Sequence, residues 1–494
     1  MAIDAPQPDE AGMVLLNTDL TDVGKVPTHS DGVPAVELSD STKTNKRQGG
    51  KHLPAEFYSH HLSDAAKDRQ PSAILSLFPL ENTPGVISLL AGKPNGDTFP
   101  FNWFQYSVRT PGNPDQETVI KIDDDALREG LQYGRSAGQQ SLIDLLVGLQ
   151  EYSHGRRVGE GWRLSVGNGS QDLINKAILA MVNPGDPVLL ESPVYSGVIP
   201  MFQSLNCEMI EVASDPEGIS SESLRSVLES WPAGKRKPKV LYTVPTGCNP
   251  TGATTSLRRR KEVLASARDH DFLILEDDPY YYLYYGSAPR PPSYFALEAD
   301  EPEVGRVLRF DSLSKVVSAG LRIGFISAPE VFVTAIDSHT ATSNLHPSSL
   351  TQMVVYTLLR TWGYERFMLH CKGVSDFYRE KRDVFERALR MHLDGLAEWT
   401  PPDAGMFYWF KLSLHTPGSA EADEDSEAVI RTKALEKGVL ALPGTVFLPN
   451  GKKTAYVRAA FSLLSDQAID EALRRLKEVV IEARGLSGEK ARLP

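Results

Sequence analysis

Apolar residues fall along the chain in two rhythms that alternate. Over 171–182 (QDLINKAILAMV), Leu173, Ile174, Ala177, Ile178, Met181 and Val182 recur at the spacing of one helical face. Ser170 stands where an N-cap is needed, and Asn183-Pro-Gly-Asp186 stops the helix. Short unbroken apolar runs follow: PVLLES (187–192), KVLYTVP (239–245), FLILED (272–277) and RVLRFDS (306–312). Runs this short, bounded by turn residues, predict buried strands. A helix from Thr255 or Ser256 to Asp269 separates two of them. Strands alternating with helices predict an α/β domain around a mostly parallel sheet, with ligands beyond the strands' carboxyl ends.

Beyond about residue 345 the texture changes. Longer helices are expected over 374–394, with Phe377, Phe385, Leu389 and Leu393 in phase, and over 466–484. Between them lie alternating strands, GMFYWFKL (405–412) and TAYVRAAFS (454–462), as in a smaller α+β domain. Residues 1–56 hold no Phe, Tyr or Trp and are rich in Asp, Pro, Ser, Thr and Gly, which predicts a disordered tail. The acidic stretch 415–427 reads as a solvated loop. The expected division is tail 1–56, segment 57–110 packing on the small domain and covering the site, large domain 111–340 and small domain 341–494.

Charge and composition narrow the function. The 494 residues include 52 Lys+Arg and 64 Asp+Glu, a net charge of −12, which disfavours a general nucleic-acid binder. No window of apolar residues reaches membrane-spanning length, and the start lacks the pattern of a signal or transit peptide, so a cytoplasmic location is expected. Three scattered cysteines argue against a disulfide framework or a metal knuckle.

The candidate chemistry sits at the strand ends. Val166-Gly-Asn-Gly-Ser170-Gln171 is a glycine turn opening into a helix N-terminus, where free N–H groups favour an anion. It lacks the third glycine of a dinucleotide fingerprint, since Asp172 follows, and this disfavours a nicotinamide enzyme. Pro245-Thr-Gly-Cys-Asn249-Pro-Thr-Gly252 and Glu276-Asp277-Asp278-Pro279-Tyr280-Tyr281-Tyr282 each close an apolar strand. Either could be a plain turn, but Asn249 can donate and accept, and a carboxylate held partly buried would suit a cationic ring nitrogen. In Asp311-Ser312-Leu-Ser314-Lys315, with Arg322 seven positions later, a lysine stands among hydroxyls and an arginine. That company suggests a phosphate beside an amine, hence an aldehyde cofactor held as a Schiff base.

With LQYGRSAG, ESPVYSG, YTVPTGCNPTG, EDDPYYYL, DSLSKVVSAGLRIGF and YVRAAFS in order over about 70–485, the chain resembles the fold-type I pyridoxal-phosphate aminotransferases. The nearest branch is that of the kynurenine/2-aminoadipate and fungal aromatic amino-acid enzymes. The resemblance implies a large domain with a mostly parallel sheet between helices, a smaller α+β domain, and a homodimer. It implies that Lys315 binds the cofactor covalently and moves the substrate proton, that Asp278 pairs with the ring nitrogen, and that Asn249 and Tyr281 hold the ring oxygen. Tyr195 would stack on the ring, while Ser170, Gln171, Ser312, Ser314 and Arg322 would hold the phosphate, with Tyr133 reaching it from the neighbouring subunit. Arg458 would bind the substrate carboxylate, beside the Gly92 backbone and Asn249. The implied reaction moves an amino group from an L-amino acid to a 2-oxo acid such as 2-oxoglutarate. A β-lyase or decarboxylase of the same fold would use the same Lys, Asp and Arg. A cofactor-sensing regulator would need a basic N-terminal module, whereas residues 1–50 carry eight acids and four bases. In the aminoadipate branch an arginine follows a Pro-Ser-Pro-Ile segment over the substrate; here the matching stretch is Pro71-Ser-Ala-Ile-Leu75, and the leucine favours aromatic over acidic donors.

Overall fold

A computed structural model of the chain describes residues 50–70, 77, 80–81, 83–90, 92–414 and 425–485. Its centre is an eight-stranded sheet: β1 Arg163–Asn168, β2 Pro187–Ser192, β3 Glu208–Asp215, β4 Gly218–Ile219, β5 Val240–Thr243, β6 Leu273–Asp277, β7 Val307–Ser312 and β8 Ile323–Ala328. The spatial order is β1-β8-β7-β6-β5-β2-β3-β4. Neighbours from β7 to β3 pair in parallel, whereas β8 runs antiparallel to both β7 and β1, and β4 runs antiparallel to β3. Every residue of β2, β5, β6, β7 and β8 is buried, as expected of unbroken apolar runs covered on both faces. Each large side chain so buried contributes ~1.5–3 kcal/mol from desolvation alone.

Helices α1 Gln140–His154, α2 Ser170–Met181, α3 Leu257–His270 and α4 Glu330–Ser343 accompany the sheet. Leu173, Ala177 and Ile178 of α2 pack on Val188, Leu190, Leu308 and Phe325 in one core, while Val263 and Leu264 of α3 pack on Leu189, Leu241 and Ile274 in another. The two cores take alternate residues of the same strands, as the pleat requires.

The four-stranded sheet of the smaller domain has the order β9-β10-β12-β11, all antiparallel: β9 Ala397–Trp399, β10 Phe407–Leu412, β11 Leu442–Pro443 and β12 Tyr456–Ala460. Helix α5, Ser349–Leu393, links the two sheets and breaks direction at Gly363, where φ is +66°. Before and just after this kink, Val355, Leu358, Leu359, Trp362, Phe367 and Cys371 belong to the large core. Tyr378 touches both cores, and from Val384 and Phe385 onward the helix builds the small core, with Leu389, Leu393, Tyr408, Phe410, Val457 and α6, Asp466–Ala483. The packing boundary therefore runs along α5 well past residue 341, because the helical segment after Gly363 serves both cores. Phe377, expected in phase with the small core, is instead exposed.

The N-terminal region also differs from expectation. Lys51–His52 pair in parallel with Glu303–Val304, so the stretch read as a tail contains a paired strand. The start of the 57–110 segment, Phe57–Ala66, packs on the large core, not the small one: Tyr58 is buried against Phe332 and its hydroxyl donates to the Gly305 carbonyl at 3.0 Å. A hairpin, Phe104–Thr110 with Asn113–Ile122, packs on helix Asp124–Leu131 and the start of α5. Residues 1–49, the whole of the Pro71–Leu75 stretch and 415–424 of the acidic loop lie outside the described residues; Asp425 caps the short helix Ser426–Val429 that follows. Among the described residues no helix is long and apolar enough to cross a membrane.

Candidate active site

Carboxyl ends of the large sheet's strands and the starts of β8 and β10 meet at a cavity of about 170 Å3. β1 ends at Asn168; Gly169, with φ +84°, turns the chain, and α2 opens at Ser170, so Gly169 rather than Ser170 is the N-cap. Because β8 is antiparallel, its first residue Ile323 lies opposite Asn168, and Arg322 reaches the same edge as the carboxyl ends of its neighbours. Arg322 donates through Nη1 to Ser314 Oγ at 3.2 Å and through Nη2 to the Asn168 carbonyl at 3.3 Å. A Cβ at Gly169 would stand 2.3 Å from Arg322 Nη2, and one at Gly324 would stand 2.3 Å from the Ser170 nitrogen. Gly324 needs glycine for space against backbone and Gly169 for its positive φ, leaving a cradle of helix N-terminal N–H groups and one guanidinium.

Lys315 ends the 3-10 turn Leu313–Lys315 directly after β7, where Ser312 Oγ accepts from the Ser314 N–H at 3.2 Å. Burial lowers the Lys315 pKa; Asp277 opposes this, and the charges of Arg322 and Arg458 reinforce it. Asp277, the last residue of β6, lines the cavity with Lys315. The buried Tyr242 hydroxyl donates to Asp277 Oδ2 at 2.6 Å, while Oδ1 is buried without a partner. Burial pushes the Asp277 pKa up to about 7, held back by the Tyr242 hydrogen bond, raised by the charge of Asp278 and lowered by Lys315. Tyr195 closes another wall, its hydroxyl donating to Gln171 Oε1 at 3.2 Å.

The small domain supplies Phe407 and Arg458, on the facing strands β10 and β12. Arg458 Nη1 donates to Asn249 Oδ1 at 2.9 Å, and its guanidinium lies 4.2 Å over the Phe407 ring and 5.1 Å over Phe447. Its Nε is buried with no partner, and burial lowers its pKa. A guanidinium held over apolar rings with an unused donor is an anion-binding group awaiting its anion.

Eight of the residues singled out from sequence line the cavity: Ser170, Gln171, Tyr195, Asn249, Ser312, Ser314, Lys315 and Arg322. Arg458 joins them through Asn249. Asp278 and Tyr281 do not. Side chains alternate across an extended chain, so Asp278 points opposite to Asp277, onto Arg309 Nη1 at 2.9 Å. Arg309 is fully buried and also binds Asp311 at 2.7 and 3.0 Å, 3.3 Å from Glu276. Tyr281 packs under Arg290, 3.7 Å over its ring, and donates to the Ser153 carbonyl at 3.2 Å; Tyr280 takes the place on the cavity wall. Gly92 is exposed with no atom within 4 Å of an added Cβ, and Tyr133, 56% exposed, meets His346 edge-on outside the cavity. The sequence reading missed Asp277, Tyr280 and the Tyr242 support beneath Asp277, each within one register step or one strand of a residue it chose.

The comparisons with known proteins agree on one family. The model for aminotransferase class I and II matches residues 109–476. The chain belongs to the class I and II aminotransferases. It is 44% identical over 422 residues to aminotransferase tdiD of Emericella nidulans, covering 85% of this chain and 95% of that protein. It is 38% identical over 442 residues to the mitochondrial kynurenine/alpha-aminoadipate aminotransferase of Bos taurus, covering 86% and 99%. Among solved structures, aminotransferase Aro8 from Candida albicans superposes with a TM-score of 0.79 at 27% identity, covering 88% of this chain and 100% of that one.

This aminotransferase is a fold-type I enzyme dependent on pyridoxal phosphate. Its cavity fits that cofactor on three independent grounds. The glycine cradle at the α2 N-terminus suits a phosphate, the orphaned Asp277 Oδ1 suits a protonated ring nitrogen, and Lys315 is a half-buried amine between them in chemistry.

Proposed function

We propose that Lys315, Asp277 and Arg458 carry the reaction of this aminotransferase, with L-aromatic amino acids as its preferred donors and a homodimer as its working form. Pyridoxal phosphate, when bound, supplies an aldehyde carbon and a cationic ring that draws electron density from the substrate α-carbon. Lys315 binds that cofactor and, once released by the amino donor, acts as base and then acid for the α-proton; the shift of its pKa downward raises its neutral fraction at working pH. Asp277 holds a positive charge at the ring nitrogen through Oδ1, steadied from behind by Tyr242. Arg458 would take the substrate α-carboxylate, and Asn249, fixed by its hydrogen bond to Arg458, would help hold the cofactor ring beside it. Ser170, Gln171, Ser312, Ser314 and Arg322 hold the phosphate. Tyr133, exposed on this chain, reaches the phosphate in the partner's site, so that each cavity is complete only in the dimer.

One observation supports aromatic donors above all. Lys315 and Arg322 are the cations among the described cavity-lining residues, and Arg458 stands at the edge; each has a role already, so a distal carboxylate, that of 2-oxoglutarate as acceptor included, has to be met from outside this lining. The remaining walls, Tyr195, Tyr280, Phe407, Val244 and Ile174, suit an aromatic ring. The test is kcat/KM across donors. Phe, Tyr or Trp should exceed 2-aminoadipate by at least about tenfold, equivalent to ~1.4 kcal/mol, and Leu75→Arg should narrow that gap. A preference of the wild type for 2-aminoadipate would overturn the substrate reading and leave the aminotransferase chemistry in place.

A further inference from the structure

Away from the cavity, three potential metal ligands converge on one point. His60 and His61 follow each other where the 3-10 helix Ala55–His60 ends, and both direct Nε2 at the carboxylate of Asp271. His60 Nε2 lies 2.8 Å from Oδ2 and His61 Nε2 lies 3.4 Å from Oδ1, and the ligand atoms of the three residues lie within 4.8 Å of one another. Their imidazole centroids lie 4.0 Å apart with the rings tilted by 40°. Asp271 is the C-cap of α3 in the left-handed region, φ +57°, a conformation that turns its side chain back toward the N-terminal segment. We infer that His60, His61 and Asp271 form a binding site for a borderline divalent cation such as Zn2+, separate from the catalytic cavity.

The ligand chemistry and the spacing both support this. Two imidazoles and one carboxylate are a common donor set for Zn2+, with metal–ligand distances of ~2.0–2.2 Å, so donors ~3–4 Å apart can share one ion with small side-chain shifts. His61 is fully buried while His60 is about half exposed, 54%, so the protein closes one side of the point and leaves the other open for water. Arg306 Nη1 donates to Asp271 Oδ1 at 2.9 Å and reaches Glu303 at 3.1 Å with Nη2. This contact orients the carboxylate, and its positive charge weakens binding. His61 Nδ1 has no hydrogen-bond partner, so the outer-shell bond that is commonly worth ~10–100-fold in affinity is missing for this ligand. The expected dissociation constant is therefore about micromolar, not the far tighter value of a closed structural zinc site.

Asp271 precedes β6 and Asp277 ends it, so the two sites lie at opposite edges of the sheet, ~15–20 Å apart along the strand. A bound ion would tie the segment carrying Phe57 and Tyr58 to the end of α3, without touching the reaction. The experiment is calorimetric titration of chelator-treated holoenzyme with Zn2+, alongside thermal unfolding with and without the ion. Wild type should bind one ion per chain and melt a few degrees (~2–4 °C) higher with the ion present. His60→Ala, at an exposed position, and Asp271→Asn, which tolerates the left-handed backbone, should each weaken binding at least about tenfold and leave aminotransferase turnover unchanged. No saturable binding up to about 1 mM Zn2+, or binding that persists in both variants, would overturn the assignment.

Discussion

Asp277 and Asp278 are neighbours in sequence, both buried, and should respond to the same substitution with opposite signs. In the cofactor-free enzyme Asp277 has one hydrogen bond and one empty oxygen, and its pKa rises from the ordinary 3.8 to about 7. Ionising it at pH 8 therefore costs about 4 kcal/mol of folding stability. A pKa raised on folding gives stability that is full below the unfolded value and is lost as pH rises through the folded one, so the loss develops between about pH 4 and pH 7. Asp277→Asn keeps an acceptor for Tyr242 and removes the charge. The variant should be more stable than wild type at pH 8, by up to about 4 kcal/mol, with the gap falling to about 2 kcal/mol at pH 5. Asp278→Asn does the reverse: it takes one charged partner from the buried Arg309, which keeps Asp311 and Glu276, and should cost ~1–3 kcal/mol. Urea denaturation of the cofactor-free proteins at the two pH values measures both. Adding pyridoxal phosphate should then favour the wild type, whose carboxylate gains a cationic partner. An Asp277→Asn variant less stable than wild type at pH 8, or an Asp278→Asn variant of unchanged stability, would refute the assignment of the two side chains.

Two further outcomes follow from the geometry. Arg458→Lys replaces a planar fork by a point charge and should raise KM for amino donors ~10–100-fold, or ~1.4–2.7 kcal/mol, read from steady-state kinetics with kcat much less affected. Mixing an inactive Tyr133 variant with an inactive Lys315 variant should restore part of the activity after subunit exchange, since one site in each mixed dimer would be intact; no recovery, with exchange verified, would count against the shared site.

The sequence made the sheet legible because β2, β5, β6 and β7 are short apolar runs closed by chemically unusual residues, and their observed bounds fall within about two residues of the expected ones. The same property hid the phase. Leu273 and Leu275 face one core and Ile274 the other, but an unbroken apolar run carries no polar contrast to say which face Asp277 shares. One register step thus separated the expected Asp278 from the observed Asp277, and likewise Tyr281 from Tyr280. Arg309 offered a hint, since a buried arginine on β7 requires carboxylates opposite it, and Glu276 and Asp278 share that side. Arg458 was legible because a charged residue in an alternating strand must find a partner. The course of α5 was not, because the helical segment after Gly363 keeps one period while its packing partners change from one core to the other.

The central claim is that Lys315 holds the cofactor and releases it to the amino donor. Borohydride reduction of the holoenzyme followed by peptide mapping tests it directly. The pyridoxyl mass should fall on the peptide containing Lys315, should disappear when the enzyme is first treated with phenylalanine alone, and should return after addition of a 2-oxo acid. A label on another lysine, or a Lys315 label that neither substrate alters, would contradict the account.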